Sequence, residues 1–331
     1  MAYYHIYGIG AALVDTEIEV TDTDLQNYTI EKGVMTLVDE VRQTELINRF
    51  STHLIASKRA SGGSAANTII GASYFGANTF YSCKVANDEN GNFYLQDMEA
   101  AGVVTNKNHN DDGITGKCLV MITPDAERTM NTFLGISETV STNELDKEAL
   151  KQSQYAYIEG YLVTSETGRA AAIQLREWAE SHNIKTALSL SDPAIVQFFR
   201  DGLRKMIGNK VNLLFCNHDE ALSFTDTDNT EDAIEALKNY ADEFAITLGS
   251  KGALIYDGNT TINISANTVK AIDTNGAGDM FAGAFLYAIT HGYNHQQAGD
   301  LASAASAKIV SQYGPRLKAE QHAEILHKTL G

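Results

Sequence analysis

The chain has only three cysteines, three prolines and one tryptophan in 331 residues, and its 25 Lys and Arg are outnumbered by 42 Asp and Glu. Each scarcity excludes something. Cys83, Cys118 and Cys216 are an odd set with no C-x-x-C spacing, which argues against a disulfide framework and against a cysteine zinc site. All stand in apolar runs (TFYSCKVA, GKCLVMI, NLLFCN), where buried strand positions are expected. Pro124, Pro193 and Pro315 supply no linker that would divide the chain into independent domains. A formal charge of −17 removes the basic stripe that nucleic-acid phosphates require and disfavours anionic membrane surfaces. No apolar stretch approaches the ~20 residues of a membrane helix. The start, MAYYHIYGIGAALVD, has neither the basic opening nor the clean apolar core of a signal peptide. A cytoplasmic protein is expected, with the sequons at Asn27, Asn259 and Asn263 as chance matches.

What is present is a globular balance of 44% hydrophobic and 20% charged residues, with length enough for a large core. Short apolar runs read as strands at Tyr4–Ile9, Thr79–Lys84, Tyr155–Glu159, Lys185–Leu190, Val211–Cys216, Phe244–Leu248 and Ala253–Tyr256. Between them lie helical patterns, such as Glu166–His182 and Asp279–His291, the latter stopping at Gly292. Strands apolar throughout and separated by helices predict a mainly parallel sheet covered on both faces. Residues 16–58 and 111–136 break the alternation with Thr, Asp and Asn and short β-like stretches. A small β lid built from two excursions and ordinary surface hairpins both fit them.

Several familiar motifs fail. Gly8-x-Gly10-x-x-Leu13 follows a strand but lacks the third glycine of a dinucleotide fingerprint. Gly113-Ile-Thr-Gly-Lys-Cys118 has the wrong spacing for a P-loop and no hydroxyl for Mg²⁺. Asp226-Thr-Asp228-Asn-Thr-Glu231 places Glu where a calcium loop needs Gly. His291 and His295 are separated by the helix-ending Gly292, so they form no zinc pair.

One segment remains: Asp273-Thr-Asn-Gly-Ala-Gly-Asp279-Met-Phe-Ala-Gly-Ala-Phe-Leu286. Three small residues, Gly276, Ala277 and Gly278, lead directly into an apolar helix. Their N–H groups at its positive end make an anion site without any lysine. Asp279, read as the first helical residue, is explained either as a favourable N-terminal charge or as a base beside that anion site.

This segment resembles the second signature of the ribokinase-like (PfkB) family of carbohydrate and nucleoside kinases. The first signature is similar to Gly62-Gly63-Ser-Ala-Ala-Asn67-Thr, running on to Gly91. The resemblance extends over essentially the whole chain and implies a three-layer α/β/α core with a small β lid. Residues 1–15, 59–110 and 137–331 would form the core, with 16–58 and 111–136 as the lid. It further implies that Asp279 deprotonates the acceptor hydroxyl while Gly276, Ala277 and Gly278 hold the γ-phosphoryl group of ATP. Asn217-His-Asp-Glu220 resembles the family's N-x-x-E motif, which organises Mg²⁺, Glu220 acting through water. Asn217 is equally a good helix N-cap. Thr247, Gly249 and Gly252 resemble the nucleotide-side loop, Asn275 joins that side, and Arg128 matches a lid arginine near the transferring phosphate. On the acceptor side the resemblance assigns Asp15, Gly62, Gly63 and Asn67 to sugar hydroxyls and Tyr161 to a face against a base. A potassium ion near Asp273 is a further implication.

Within the family the resemblance runs to adenosine-kinase-like members, through GVMTLVD, ERTMNTFLGIS, YIEGYL and LSLSDP. Two positions depart from it. Ala11 stands where those enzymes carry asparagine, and Ala194 follows Pro193 where an aromatic is common. Adenosine is expected as acceptor, with inosine, guanosine or a ribose- or fructose-like sugar open. A non-catalytic nucleoside sensor fits less well, because a sensor has no use for Asp279. The expected partners are ATP and a small acceptor, with the chain a monomer or homodimer.

Overall fold

The fold is that of a computed structural model that describes residues 3–50, 59–106 and 111–331. In chain order, the first third holds β1 (Tyr4–Ile9), β2 (Leu13–Glu19), α1 (Asp22–Asn27), β3 (Met35–Leu37), α2 (Glu40–Arg49), β4 (Ala60–Gly62), α3 (Ser64–Phe75) and β5 (Thr79–Ser82). Next come α4 (Glu89–Ala100), β6 (Val103–Thr105), β7 (Gly116–Ile122), β8 (Arg128–Phe133), α5 (Lys147–Lys151), β9 (Ser153–Glu159), α6 (Glu166–Ser181) and β10 (Lys185–Ser189). The chain continues with α7 (Pro193–Ile207), β11 (Val211–Asn217), α8 (His218–Thr225), α9 (Thr230–Leu237), β12 (Ala241–Thr247), β13 (Ala253–Tyr256) and β14 (Thr261–Ile264). It closes on α10 (Ala277–Thr290), α11 (His295–Ile309) and α12 (Ala319–Leu330).

Nine strands pair in the order β14-β13-β12-β11-β10-β9-β1-β5-β6. All neighbours are parallel except at the β12–β13 and β13–β14 pairs. Successive strand residues point to opposite faces, so each apolar run feeds two cores. Ile6, Tyr157, Leu213 and Phe215 pack with Ile69 of α3, Phe285 of α10 and Leu301 of α11. Tyr7, Ile158 and Leu214 pack with Leu175 of α6, Val196 of α7 and Phe224 of α8. Helices thus cover both faces, and the three-layer α/β/α expectation is met.

A second sheet of five strands runs β3-β8-β7-β2-β4. Ile18, Leu119 and Met121 are buried against Leu25 and Leu46 of α1 and α2, whereas Leu13, Cys118 and Val120 form a separate apolar face. The sheet takes in Leu13–Asp15 and Ala60–Gly62, which the sequence division placed with the core. The physical reason is pairing: β2 is matched without a break against β7, from Leu13–Gly116 to Glu19–Ile122, and β4 completes its other edge. Positions 51–58 and 107–110 of the expected division lie outside the described residues. All three cysteines are buried and unbridged, as their apolar settings predict.

Candidate active site

The carboxyl ends of the parallel strands and the uncovered face of the second sheet enclose a cavity of about 480 Å³. Open α/β sheets bind ligands at this edge, because loops diverge there and helices begin. Strand ends contribute Glu159, Ser189, Asn217 and Thr247, the second sheet contributes Leu13, Cys118, Val120 and Met130, and the entry to α10 contributes Asn275 to Asp279.

Helix α10 starts two residues earlier than the sequence suggests. Gly276 is its N-cap, in a left-handed conformation (φ +73°), and Asp279 is therefore the third helical residue. A side chain at Gly276 would also lie 2.8 Å from the Cα of Pro315, so both backbone and space require glycine. The Ala277 N–H donates to the Thr274 carbonyl at 3.3 Å, while those of Gly276 and Gly278 meet no acceptor among the described residues. A Cβ at Gly278 would meet no protein atom within 4 Å and would project into open space. These free N–H groups at a helix N-terminus form an anion cradle. Asp279 is held from the other side. Ser64 Oγ donates to its Oδ1 (2.6 Å) and Asn67 Nδ2 to its Oδ2 (3.1 Å). Burial raises its pKa, opposed by those two hydrogen bonds and by Arg128. Asn67, expected to touch the acceptor, thus also orients this carboxylate. The α3–α10 contact that brings them together depends on Gly283, where a Cβ would approach the Thr68 carbonyl at 2.5 Å.

Arg128 opens β8 and lines the same cavity. Burial works against its charge, yet Tyr161, Asp192 and Asp279 around it hold the guanidinium pKa above its ordinary value. Among the described residues it forms no ion pair, so its charge faces the cavity.

Asp15, on β2, is only 6% exposed and accepts no hydrogen bond among the described residues. Burial, then Glu17, pushes its pKa up to about 8. A buried carboxylate without donors that borders a cavity is suited to hydroxyl groups brought by a ligand. Gly63 lines the cavity, and a Cβ there would strike the Ala11 carbonyl at 2.3 Å. Gly62 does not line it. A Cβ at Gly62 would lie 2.0 Å from Asp15 Oδ2, so this glycine makes room for the carboxylate, not for the ligand directly. Tyr161 borders the cavity and its hydroxyl donates to Asp192 Oδ2 at 3.4 Å.

At the opposite end, Asn217 caps α8 and donates through its backbone and side chain to the two oxygens of Glu220, at 2.9 and 2.7 Å. Glu220 is buried, which pushes its pKa up to about 7. Asn217, Asp219, Thr247 and Gly249 also border a second cavity of about 410 Å³ with His218, Thr230 and Lys251. Gly252 is outside both. Its φ of +95° and a would-be Cβ 2.0 Å from the Ile264 carbonyl make it a turn residue packed on β14. Asn275 lines the first cavity, its side chain buried beside the Glu17 carboxylate.

Sequence reasoning missed two contributors, Ser64 and Glu159, and it named Asp273 only for a potassium ion. Ser64 carried no signal beyond its place in the first signature. Glu159 accepts from the N–H of Ala11 (3.2 Å) and of Ala65 (2.7 Å), which fixes the β1–β2 turn to the start of α3. A carboxylate closing an otherwise apolar strand run, YIEG, was the signal available for it. Asp273 is fully buried and its oxygens accept from the N–H of Asn275 (2.8 Å) and Gly314 (2.9 Å). Both are thereby engaged in holding the loop.

The family model described as pfkB family carbohydrate kinase matches residues 45–322. The chain belongs to the pfkB family. An adenosine kinase from Sinorhizobium meliloti superposes with a TM-score of 0.92 at 30% identity, covering 98% of this chain and 99% of that one. A probable sugar kinase from Rhizobium etli CFN 42 gives 0.93 at 30% identity and covers 99% of each chain. The adenosine kinase of Saccharomyces cerevisiae is 27% identical, covering 95% of this chain and 96% of its own. The fold and family expected from the two signatures are therefore met, and pfkB kinases transfer a phosphoryl group from ATP to an alcohol. Among the described residues no helix is long and apolar enough to cross a membrane.

Proposed function

We propose that this pfkB chain transfers the γ-phosphoryl group of ATP to the 5′-hydroxyl of a nucleoside, with adenosine as the preferred acceptor. The observation that carries the nucleoside reading is the apolar wall beside Asp15. Leu13, Met35, Cys118, Val120, Met130 and Leu134 border the cavity there. A nucleobase can cover such a wall, whereas a free sugar would leave hydroxyls against it without partners. The second reading, a sugar kinase, draws on Ala11 and Ala194, which offer no side-chain polar group or aromatic face to a base.

In the proposed reaction Asp15 grips the sugar hydroxyls and Asp279 accepts the proton of the attacking hydroxyl. A carboxylate with a raised pKa is a stronger base than an ordinary one. The new bond joins the acceptor oxygen to the γ-phosphorus. The bond to the β–γ bridging oxygen breaks, and ADP leaves with that electron pair. The N–H groups of Gly276 and Gly278 and the charge of Arg128 face the phosphoryl oxygens as charge spreads over them. The smaller sheet acts as a lid whose apolar face excludes water. Thr247, Gly249 and Lys251 border the cavity given to the rest of the nucleotide.

Among the described residues no cluster of three acidic, His or Cys side chains could hold a metal alone. The donor set of Asp219, Glu220 and Asn217 still fits Mg²⁺ arriving with the nucleotide. It is all oxygen and amide, and Glu220 is already bonded to Asn217, so contact through water is favoured. Bound there, Mg²⁺ would neutralise phosphate charge. A potassium ion would have to share Asp273 with two backbone donors. The test is phosphorus NMR of the product from adenosine and Mg-ATP. Adenosine 5′-phosphate is expected, and phosphate on another hydroxyl, or none, would overturn the assignment.

A further inference from the structure

The segment that follows α11 touches the entry to α10 and the β2–β4 side of the site, although it supplies no group to the cavity. The Gly314 N–H donates to Asp273, Pro315 packs under Gly276, and a Cβ at Gly314 would lie 3.6 Å from Glu17 on β2. Arg316 comes next. Its Nη1 donates to Asp97 Oδ2 on α4 at 2.7 Å, and its Nη2 donates to Ser61 Oγ on β4 at 2.6 Å. Ser61 closes the ring, because its N–H (3.0 Å) and hydroxyl (2.5 Å) both donate to the same Asp97 oxygen. Ser61 is fully buried, and the Arg316 side chain is 15% exposed. The neighbouring residue, Gly62, is anchored by Tyr94, whose hydroxyl donates to the Gly62 carbonyl at 3.1 Å.

We infer that Arg316 is a positioning residue for the acceptor site, clamping β4 against the carboxylate of Asp15. The inference rests on the kinase reading above. The mechanical link is short. Ser61 pairs with Val14 and Gly62 with Leu13 across the β2–β4 ladder, and Gly62 sits so close to Asp15 that only hydrogen fits between them. A ring that fixes Ser61 therefore fixes the ceiling over Asp15. Loss of one Arg316 bond leaves the Ser61–Asp97 pair without its counter-charge in a buried setting, where such networks are sensitive to partial loss. The same loop fastens the anion cradle through Asp273 and Gly276, so one segment sets the spacing between the acceptor carboxylate and the transferring phosphoryl group.

Arg316 also acts on Asp15 by charge. The charged groups that bear on Asp15 are Glu17 on its own strand, Asp279 on α10 and Arg316, while the Cys118 thiol of β7 and the Tyr94 phenol of α4 beside it are neutral, their own pKa values raised first by burial and further by the Asp15 carboxylate. Arg316 is the cation of that set. Its removal moves the Asp15 titration to higher pH, whereas a purely structural role would leave the titration in place.

The experiment compares wild type with Arg316→Gln, Arg316→Lys and Ser61→Ala, using adenosine and Mg-ATP. Wild-type turnover checks the kinase reading independently of the variants. If wild type turns over no adenosine, calorimetric titration with adenosine reads the same contrast in Kd. For Arg316→Gln, acceptor KM (or Kd) is expected to rise tenfold or more while ATP KM stays within twofold. The acid limb of acceptor kcat/KM should move to higher pH. Arg316→Lys keeps the charge, so it should restore the limb and recover only part of KM. Ser61→Ala leaves the Arg316–Asp97 pair intact and covers the case in which Arg316→Gln does not fold. It should raise acceptor KM about threefold with ATP KM unchanged. Acceptor KM within twofold of wild type in folded Arg316→Gln, or equal rises for both substrates, would overturn the inference. So would an unmoved acid limb.

Discussion

Replacing Asp279 by asparagine removes the proposed base and very little else. The carboxylate sits between a hydroxyl donor, Ser64 Oγ at 2.6 Å, and an amide donor, Asn67 Nδ2 at 3.1 Å. Asparagine fills the same volume, but its own NH₂ must face one of these donors. The surroundings can adjust. The Ser64 hydroxyl can rotate to accept, and the Asn67 Oδ1, buried without a partner, can be presented by an amide flip. The folding cost is therefore about 1 kcal/mol or less, a change in Tm of no more than about 1–2 °C for a chain of this length. Catalysis has no such remedy, since an amide cannot take the proton of the attacking hydroxyl. General-base contributions of about 10²–10⁴ correspond to about 2.7–5.5 kcal/mol of transition-state stabilisation. The assay is steady-state turnover of adenosine with Mg-ATP, alongside a calorimetric Kd for adenosine. kcat should fall at least a hundredfold while Kd changes a few fold. A folded Asp279→Asn enzyme with kcat within tenfold of wild type would refute the assignment of the base.

Two other outcomes are expected. Gly62→Ala would force a methyl group to within 2.0 Å of Asp15 Oδ2, so the carboxylate must move. Overpacking of this kind costs about 1–3 kcal/mol, to be read in thermal melts, with acceptor KM raised more than ATP KM. The ligand-free protein should also melt higher at pH 5.5 than at pH 7.5. Burial first of all raises Asp15 to about 8 and Glu159 and Glu220 to about 7. Between their ordinary values and these raised ones the folded state keeps protons that the unfolded chain has lost, so stability falls as pH climbs through that window. Asp88 and Asp97 are shifted the other way and limit the gain at lower pH. Glu220→Gln should shrink the difference between the two pH values, and an unchanged difference would contradict the burial argument for that residue.

The core was legible because its strands are apolar on both faces. Tyr4–Ile9 and Ala253–Tyr256 have in the structure the ends that their apolar runs give them. The edge strands were not. β6 is three residues long and β14 mixes Thr and Asn with Ile, so neither rises above its flanks. At the site, the glycine-rich entry to α10 was legible as a helix N-terminus with free N–H groups, although a helix start read from composition misses the N-cap by a residue or two. What spacing could not carry were contacts between distant segments. Asn67 meets Asp279 across a separation of 212 residues, and Arg316 meets Ser61 across 255. Gly62 looks like a ligand-contacting glycine from sequence, and only the packing shows Asp15 in the space its side chain would fill.

The most direct test is the specificity constant for phosphoryl transfer from Mg-ATP to adenosine, compared with inosine, guanosine, ribose and fructose. Adenosine should lead ribose by a hundredfold or so, about 2.7 kcal/mol, because the apolar wall at Leu13, Val120 and Met130 rewards a base and not a bare sugar. Ribose or fructose in the lead would contradict the nucleoside assignment and mark Ala11 and Ala194 as features of a sugar site.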